Sequence, residues 1–178
     1  MANFSVPKEE EVSPRNQQIF KNLNKALGFV PNLYATMAYS EHGLARYLDF
    51  QGGKSSLSNK EKEAVNLIVS QINECRYCQS AHTVLGIMNG LDEDEILKIR
   101  GGSSSNDKLN SLVQLAKEIT LNKGRVSDET LSGFFSHGYT KENLIDVILQ
   151  ISDKVAMNYL HNLTQIEIDF AIAEELSK

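Results

Sequence analysis

The amino-acid sequence predicts an all-α fold, a single helical domain over residues 1–178 with about eight to ten helices. Apolar residues recur three or four positions apart along most of the chain, as they do on one face of a helix. Capping residues precede these segments and glycines follow them, which is how helices commonly begin and end. No run of alternating β-branched residues is long enough to predict a strand.

The N-terminal part of the chain carries the signals of three helices. Ser13 followed by Pro14 is typical of a helix start, and Gly28 ends the apolar pattern that follows. Two shorter helices are predicted over about residues 32–39 and 41–50, and paired glycines stop the second of them.

The middle of the chain predicts three more helices. A capping box begins at Ser58 and opens a helix with a continuous apolar face. After a short break in the periodicity, another helix begins near Cys75 and ends at Gly90. Asp92 caps a short helix that runs to about Arg100.

The C-terminal part follows a surface loop rich in glycine and serine at residues 101–106. A helix is predicted to about Asn122, a short one follows the cap at Ser127, and a long one starts at Thr140. Helical periodicity continues through Ile172 near the C-terminus. The long helix is predicted to bury the apolar side chains of Leu144, Ile145, Ile148, Leu149 and Ile151.

Composition and charge narrow the class of protein. A chain of 178 residues with 41% hydrophobic residues can bury one ordinary core. It has no uninterrupted run of about 18 apolar residues, and the segment after Met1 lacks the basic and apolar regions of a signal peptide. We therefore expect a cytoplasmic protein without a membrane partner. The net charge of −5 and the scattered basic residues argue against nucleic acid as a partner.

The chain's two cysteines form one C-x-x-C motif, Cys75 and Cys78, and His82 follows one helical turn later. If the helix begins near Cys75, these spacings place all three side chains on one face. The first turn of a helix favours an anion, which lowers a thiol pKa from about 8.5 toward neutrality. One sulfur can then attack a substrate, and the other can close a disulfide with it. His82 can transfer a proton, and Glu63 on the preceding helix lies at the edge of an apolar face.

Metal binding is the main alternative to thiol chemistry. The two cysteines and one histidine supply three ligands, whereas structural zinc needs four. The fourth ligand would have to come from another histidine, which could be His42, His137 or His161. An iron–sulfur cluster generally needs four thiolates, and this chain has two. Haem attachment needs a histidine directly after the second cysteine, where this chain has Gln79. A thioredoxin-like domain would need a βαβ pattern around the motif, and the sequence shows none. We therefore expect neither a cofactor nor a metal, with zinc as the alternative.

Residues 63–82 resemble the core motif of the alkylhydroperoxidase D-like, carboxymuconolactone decarboxylase superfamily. That motif is a glutamate twelve residues before a C-x-x-C pair, which is followed by two residues and then Ala-His. The matching residues are Glu63, Cys75, Cys78 and His82. More loosely, Val30–Leu33 and the stretch from Asn158 to Phe170 are similar to the early segment and the tail of the family's peroxidase-related branch.

The resemblance implies an all-helical enzyme that assembles as a homo-oligomer, usually a trimer or hexamer. It implies that Cys78 attacks a small organic hydroperoxide and that Cys75 converts the resulting sulfenic acid into a disulfide. It also implies that Glu63 and His82 form a proton relay. In the best-known members a lipoylated adaptor restores the dithiol, so the expected partner is a dithiol reductant of the lipoyl type.

Tyr77 is the position where this sequence departs from the family pattern, because the best-known members have a histidine directly before the second cysteine. A phenol with a pKa of about 10 cannot act as a base at neutral pH, although it can donate a hydrogen bond. We therefore expect a shorter relay or a lower activity, and Tyr77 joins the candidate catalytic residues. Two other hypotheses are a redox sensor without turnover and a carboxymuconolactone decarboxylase-like enzyme, although the cysteine pair argues against decarboxylation.

Overall fold

The fold is all-α, which confirms the predicted fold class. The computed structural model describes residues 4–176, and these contain nine α-helices and no strand. The helices are α1 (Pro14–Leu27), α2 (Asn32–Met37), α3 (Gly43–Gln51), α4 (Asn59–Ile72), α5 (Arg76–Met88), α6 (Glu93–Gly101), α7 (Asp107–Leu121), α8 (Asp128–Ser136) and α9 (Lys141–Thr164), and a short 3-10 helix at Glu9–Glu11 precedes them. None of the helices within the described residues is long and apolar enough to cross a lipid bilayer. Residues 1–3, on which the signal-peptide prediction partly depends, lie outside the described range.

The helix ends are set by capping groups that the sequence already displays. Ser13 caps α1 by accepting a hydrogen bond from the backbone N of Asn16, and Gly28 ends the helix with a φ of 85°. Ser58 and Glu61 form the predicted capping box of α4, in which each side chain accepts from the other residue's backbone N. These local contacts explain why most boundaries agree with the sequence to within a few residues.

Two compact units make up the chain. One comprises the residues up to Lys54 together with Leu160–Asp169, and the other comprises Ser55–Tyr159 together with the segment from Phe170 onward. The core of the first unit is formed by the buried side chains of Val12, Phe20, Ala35, Ala38 and Leu44. The interpretation of residues 1–178 as a single domain stays a prediction.

The second unit is built around α4, which packs against α5, α6 and α7. Every residue of α4 from Glu63 to Ser70 is buried, because neighbouring helices cover it on several sides. Leu67 and Ile68 of α4, Leu112 of α7 and Phe134 of α8 belong to one apolar cluster. Complete burial of each of these side chains stabilises the fold by about 1.5–3 kcal/mol. This packing holds Glu63 on a rigid helix directly beside the helix that carries both cysteines.

The side of α9 that faces the core differs from the prediction. Ile145, Ile148 and Leu149 are exposed to 60%, 40% and 46%, so their predicted burial is wrong. Ile151 is buried as predicted, at 7% exposure, and Val147, at 0% exposure, lies in the core in place of the three exposed residues. Because α9 is apolar nearly all round in this stretch, its periodicity does not show which side packs against the core.

The predicted continuation of helical structure through Ile172 is also wrong, because α9 ends before it. Gln165 has a φ of 50°, in the left-handed region that interrupts a helix. Farther along, the backbone of Ala173 pairs with α5: its N donates to Ser80 Oγ and its O accepts from Arg76 Nη2, both at 3.0 Å. Contacts with a distant helix replace the intrahelical hydrogen bonds that the periodicity suggested.

Candidate functional site

Cys75 and Cys78 lie at the N-terminus of α5, directly after the turn that follows α4. Glu74 has a φ of 54° and makes the turn between the two helices. Cys75 is the N-cap residue, and its Sγ accepts a hydrogen bond from the backbone N of Cys78 at 3.3 Å. At this end the backbone N–H groups and the helix dipole stabilise negative charge on sulfur. Both cysteines are free thiols and buried.

The two sulfurs differ in acidity because one donates a hydrogen bond to the other. Burial disfavours the charged form of Cys78, but a hydrogen bond from Cys75 and the charge of Lys154 outweigh burial and lower the pKa of Cys78. The hydrogen bond to Cys78, together with burial, raises the pKa of Cys75. The arrangement therefore favours a Cys78 thiolate that accepts a hydrogen bond from the Cys75 thiol.

His82 and Glu63 form a buried pair between α5 and α4. Nδ1 of His82 lies 2.7 Å from Oε2 of Glu63. Burial, followed by the charge of Lys154, lowers the pKa of His82 despite the attraction of Glu63. Burial opposes ionisation of Glu63, but its interactions with His82 outweigh burial and lower the pKa of Glu63. At neutral pH the pair is thus a neutral imidazole that donates its Nδ1–H to a carboxylate, with Nε2 as the proton acceptor.

Asn158 of α9 is completely buried and belongs to the site. Its Nδ2 donates to Ser70 Oγ at 3.2 Å, and its Oδ1 accepts from Asn73 Nδ2 at 3.0 Å. Hydrogen bonds from Asn158 also lower the pKa of both Cys75 and Cys78. One amide therefore links the sulfurs to the end of α4.

A second group of buried polar side chains on α9 joins the site from the same helix. Asp153 and Lys154 are exposed to only 4% and 3%, and Lys154 Nζ lies 3.9 Å from Asp153 Oδ2. Gln150 Nε2 donates to Asp153 Oδ2 at 3.3 Å and to Asn66 Oδ1 at 2.8 Å. Asn66 Nδ2 in turn donates to Glu63 Oε1 at 3.4 Å. These hydrogen bonds connect the Glu63 carboxylate to the charged pair on α9.

Tyr77 lies between the cysteines in sequence, and the residue is 3% exposed. It packs edge-to-face against Phe170, with ring centroids 5.6 Å apart and an angle of 84° between the planes. Together with the hydrogen bonds of Ala173, this contact holds the C-terminal segment against α5. The structure therefore gives the Tyr77 ring a packing contact with the C-terminal segment.

Four of the five predicted site residues are brought together by α4 and α5: Glu63, Cys75, Cys78 and His82. The sequence analysis gave Asn158 no definite role and missed Asp153 and Lys154. Their signal was their register, since Lys154 and Asn158 continue the stripe of Val147 and Ile151 at helical spacing.

Within residues 4–176, the cysteines belong neither to a group of possible metal ligands nor to the lining of the cavity described below. Among residues 4–176, no group of three or more His, Cys, Asp or Glu side chains could hold a metal ion. His137, one candidate fourth ligand for zinc, lies with Nδ1 2.7 Å from the Gly133 carbonyl of its own helix. A cavity of about 570 Å³ lies at the N-termini of α4, α6 and α7, and its lining includes Lys60 and Tyr139 but none of the predicted site residues.

A protein-family model matches part of the chain. The model of the carboxymuconolactone decarboxylase family matches residues 38–118, a segment that contains all of the predicted site residues. No curated protein matches the chain.

Several solved structures share the fold. An uncharacterized peroxidase-related protein from Silicibacter sp. TM1040 is 20% identical and superposes with a TM-score of 0.79, over 96% of this chain and 91% of that chain. The alkylhydroperoxidase AhpD core, an uncharacterized peroxidase-related protein from Ralstonia eutropha JMP134, is 17% identical with a TM-score of 0.82, over 98% of this chain and 93% of that one. The apo debrominase Bmp8 is 17% identical with a TM-score of 0.72, over 88% and 87% of the two chains. At these identities the similarity establishes the fold.

Proposed function

We propose that this chain, which resembles the alkylhydroperoxidase D-like, carboxymuconolactone decarboxylase superfamily, is a thiol-dependent peroxidase that reduces small organic hydroperoxides. The observation that carries the proposal is the N-terminus of α5, where an acidified Cys78 shares a helix face with the His82–Glu63 pair. Since a similar fold also serves a debrominase, the choice of peroxide as substrate depends on this site and not on the fold.

In the first step, the Cys78 thiolate attacks the distal oxygen of the hydroperoxide and the O–O bond breaks. The sulfur takes up that oxygen as a sulfenic acid, and the alkoxide that leaves is protonated to an alcohol. His82 transfers this proton to the alkoxide from Nε2, which takes it up from solvent when Cys78 is already a thiolate, or from the Cys78 thiol as that thiol ionises. Glu63 holds the imidazole in the required tautomer through the 2.7 Å hydrogen bond to Nδ1 and stabilises the transient imidazolium.

In the second step, Cys75 attacks the sulfur of the sulfenic acid and water leaves, which forms the Cys75–Cys78 disulfide. The pKa of Cys75 is raised chiefly by its hydrogen bond to Cys78. Oxidation of Cys78 removes that thiolate, so Cys75 becomes easier to deprotonate at the point where it must react. The same pair of sulfurs thus serves both steps in a set order.

An external dithiol then reduces the disulfide by thiol–disulfide exchange and is itself oxidised. The resemblance to the family implies a dithiol of the lipoyl type. The cytoplasm would supply this reductant, since its thiols are kept reduced. Both cysteines are buried, so peroxide and dithiol must reach sulfur through a local opening of the structure. The C-terminal segment, which packs on Tyr77 through Phe170, is the element we propose to move.

We also propose that the chain forms a homo-oligomer, a trimer or hexamer as in related proteins. The support is an apolar stripe on the exposed side of α9, formed by Ile145, Ile148, Leu149 and Tyr159 at helical spacing. Tyr159 is 62% exposed, and exposed apolar stripes of this kind commonly mark protein–protein contacts.

The test of the proposed function is steady-state reduction of an alkyl hydroperoxide with dihydrolipoamide as the reductant. We expect many turnovers per chain for the unaltered protein, none for Cys78→Ser, and little dithiol-dependent turnover for Cys75→Ser. A single peroxide consumed per chain, with no turnover under any dithiol, would indicate a sensor. Enzymatic activity that survives replacement of both cysteines would indicate a carboxymuconolactone decarboxylase-like enzyme.

A further inference from the structure

Lys154 is a buried cation at the centre of the candidate site. Its side chain is 3% exposed, and its Nζ lies 3.9 Å from Oδ2 of the neighbouring Asp153, which is 4% exposed. Removal of charged groups from water is costly, so buried charges are found where they interact strongly with other groups. The Asp153 carboxylate is hydrogen-bonded at Oδ2, whereas its Oδ1 has no hydrogen-bond partner within residues 4–176. The surroundings of Lys154 must therefore include more than this one carboxylate.

The position of Lys154 on α9 directs it toward the sulfurs. It precedes Asn158 by four residues, which places both side chains on the same face one turn apart. Asn158 Nδ2 donates to Ser70 Oγ at 3.2 Å, and the backbone N of Cys75 donates to the Ser70 carbonyl at 3.0 Å, so the next turn of the helix lies close to the same site. The charge of Lys154 acts on Glu63 of α4 and on Cys78 and His82 of α5.

The charges around Cys78 show why a cation is needed. The groups that act on it are the Cys75 thiol at the start of α5 and the Asp153–Lys154 pair of α9, and the next turn of α5 carries the neutral His82, which is hydrogen-bonded to the Glu63 carboxylate. Without Lys154, this set would contain two carboxylates and no cation. A thiolate formed there would then be repelled by the Asp153 carboxylate in a site shielded from water.

We propose that Lys154 is the positioning residue that stabilises the Cys78 thiolate electrostatically, and that Asp153 opposes it and limits the effect. Two adjacent residues of α9 would then act on the same sulfur with opposite sign. This inference rests on the proposed function only in taking Cys78 as the attacking sulfur. It concerns the thiolate itself, which exists before any substrate binds.

The test is a pH titration of the thiolate by its ultraviolet absorbance, which needs no access of a reagent to the buried sulfur. It is made in a Cys75→Ser background, so that Cys78 is the only thiol that titrates and the serine hydroxyl retains the N-cap. In this background we expect Lys154→Met to raise the pKa of Cys78 by about one pH unit or more, and Asp153→Asn to lower it. Lys154→Arg keeps the positive charge and should leave the titration near that of the background.

The shifts in opposite directions distinguish this role from a purely structural one, because loosened packing would move both variants the same way. An unchanged Cys78 pKa in Lys154→Met, or shifts of the same sign for the two variants, would overturn the inference. If Lys154→Met does not fold, the test is the pKa of Cys78 in Asp153→Asn. A Cys78 pKa that stays constant or rises in that variant would contradict the proposal. Shifts as expected without peroxide turnover would leave the inference intact and reject the proposed function.

Discussion

The buried Glu63–His82 pair gives the most quantitative prediction for activity. Oε2 of Glu63 accepts from His82 Nδ1 at 2.7 Å, and Asn66 Nδ2 donates to the other oxygen at 3.4 Å. Glu63→Gln keeps an oxygen that can accept from the imidazole but removes the negative charge. Glu63→Ala removes both the charge and the hydrogen bond, so the two variants separate the two contributions.

The magnitudes follow from the nature of the hydrogen bond. A hydrogen bond to a charged group contributes about 1.5–3 kcal/mol and a neutral one about 0.5–1.5 kcal/mol, so Glu63→Gln should lose about 1–1.5 kcal/mol of stabilisation of the imidazolium. This corresponds to a roughly tenfold lower rate of peroxide reduction. Glu63→Ala loses the whole interaction and should be slower by about a hundredfold.

The assay is the rate of alkyl hydroperoxide reduction at saturating dihydrolipoamide, measured for both variants and for a matched control. Glu61→Gln supplies that control: it makes the same change on the same helix, where Glu61 accepts from Tyr139 Oη at 2.8 Å. We expect this control to retain the full rate. Equal rates for the unaltered protein, Glu63→Gln and Glu63→Ala would refute the proton relay.

Three further predictions concern the same unit of the protein. Asn158→Ala leaves its buried polar partners without a hydrogen bond, so it should lower the free energy of unfolding, measured with urea, by about 1–3 kcal/mol. It should also raise the pKa of Cys78, and an unchanged pKa would exclude a role of Asn158 at the sulfurs. Burial lowers the pKa of His82 in the folded protein, so the unfolded chain takes up a proton at this residue at a higher pH than the folded protein does. The free energy of unfolding should therefore be highest above about pH 6.5 and should fall as the pH drops below it. His82→Gln should reduce this dependence of the free energy of unfolding on pH, and an unchanged dependence would contradict the assignment. Ile148→Glu should reduce the mass measured by light scattering, whereas an unchanged mass would exclude the α9 stripe as the contact.

The parts of the site that lie close together in the sequence could be predicted from it. The spacing of Cys75, Cys78 and His82 places them on one turn of one helix, and a local capping group determines where that helix begins. Glu63 could be placed because a single short turn joins its helix to α5. Local hydrogen bonds and helical geometry are sufficient for these inferences.

The contribution of α9 could not be predicted in the same way, because it depends on which side of that helix faces α4 and α5. Ile145 and Ile148 are as apolar as Val147 and Ile151, so hydrophobicity does not distinguish the buried side from the exposed one. Polar residues on the buried side, such as Lys154, are recognised as part of the site only when tertiary packing shows what they contact.

The central claim is tested most directly by a thiol count, combined with intact-mass measurement, before and after one equivalent of alkyl hydroperoxide. Two free thiols should be found before the reaction and none after it, with the mass of the single chain reduced by two hydrogen atoms because Cys75 and Cys78 have joined. Dihydrolipoamide should restore both thiols. Two thiols that survive the peroxide unchanged, or a disulfide that forms only between chains, would contradict the account.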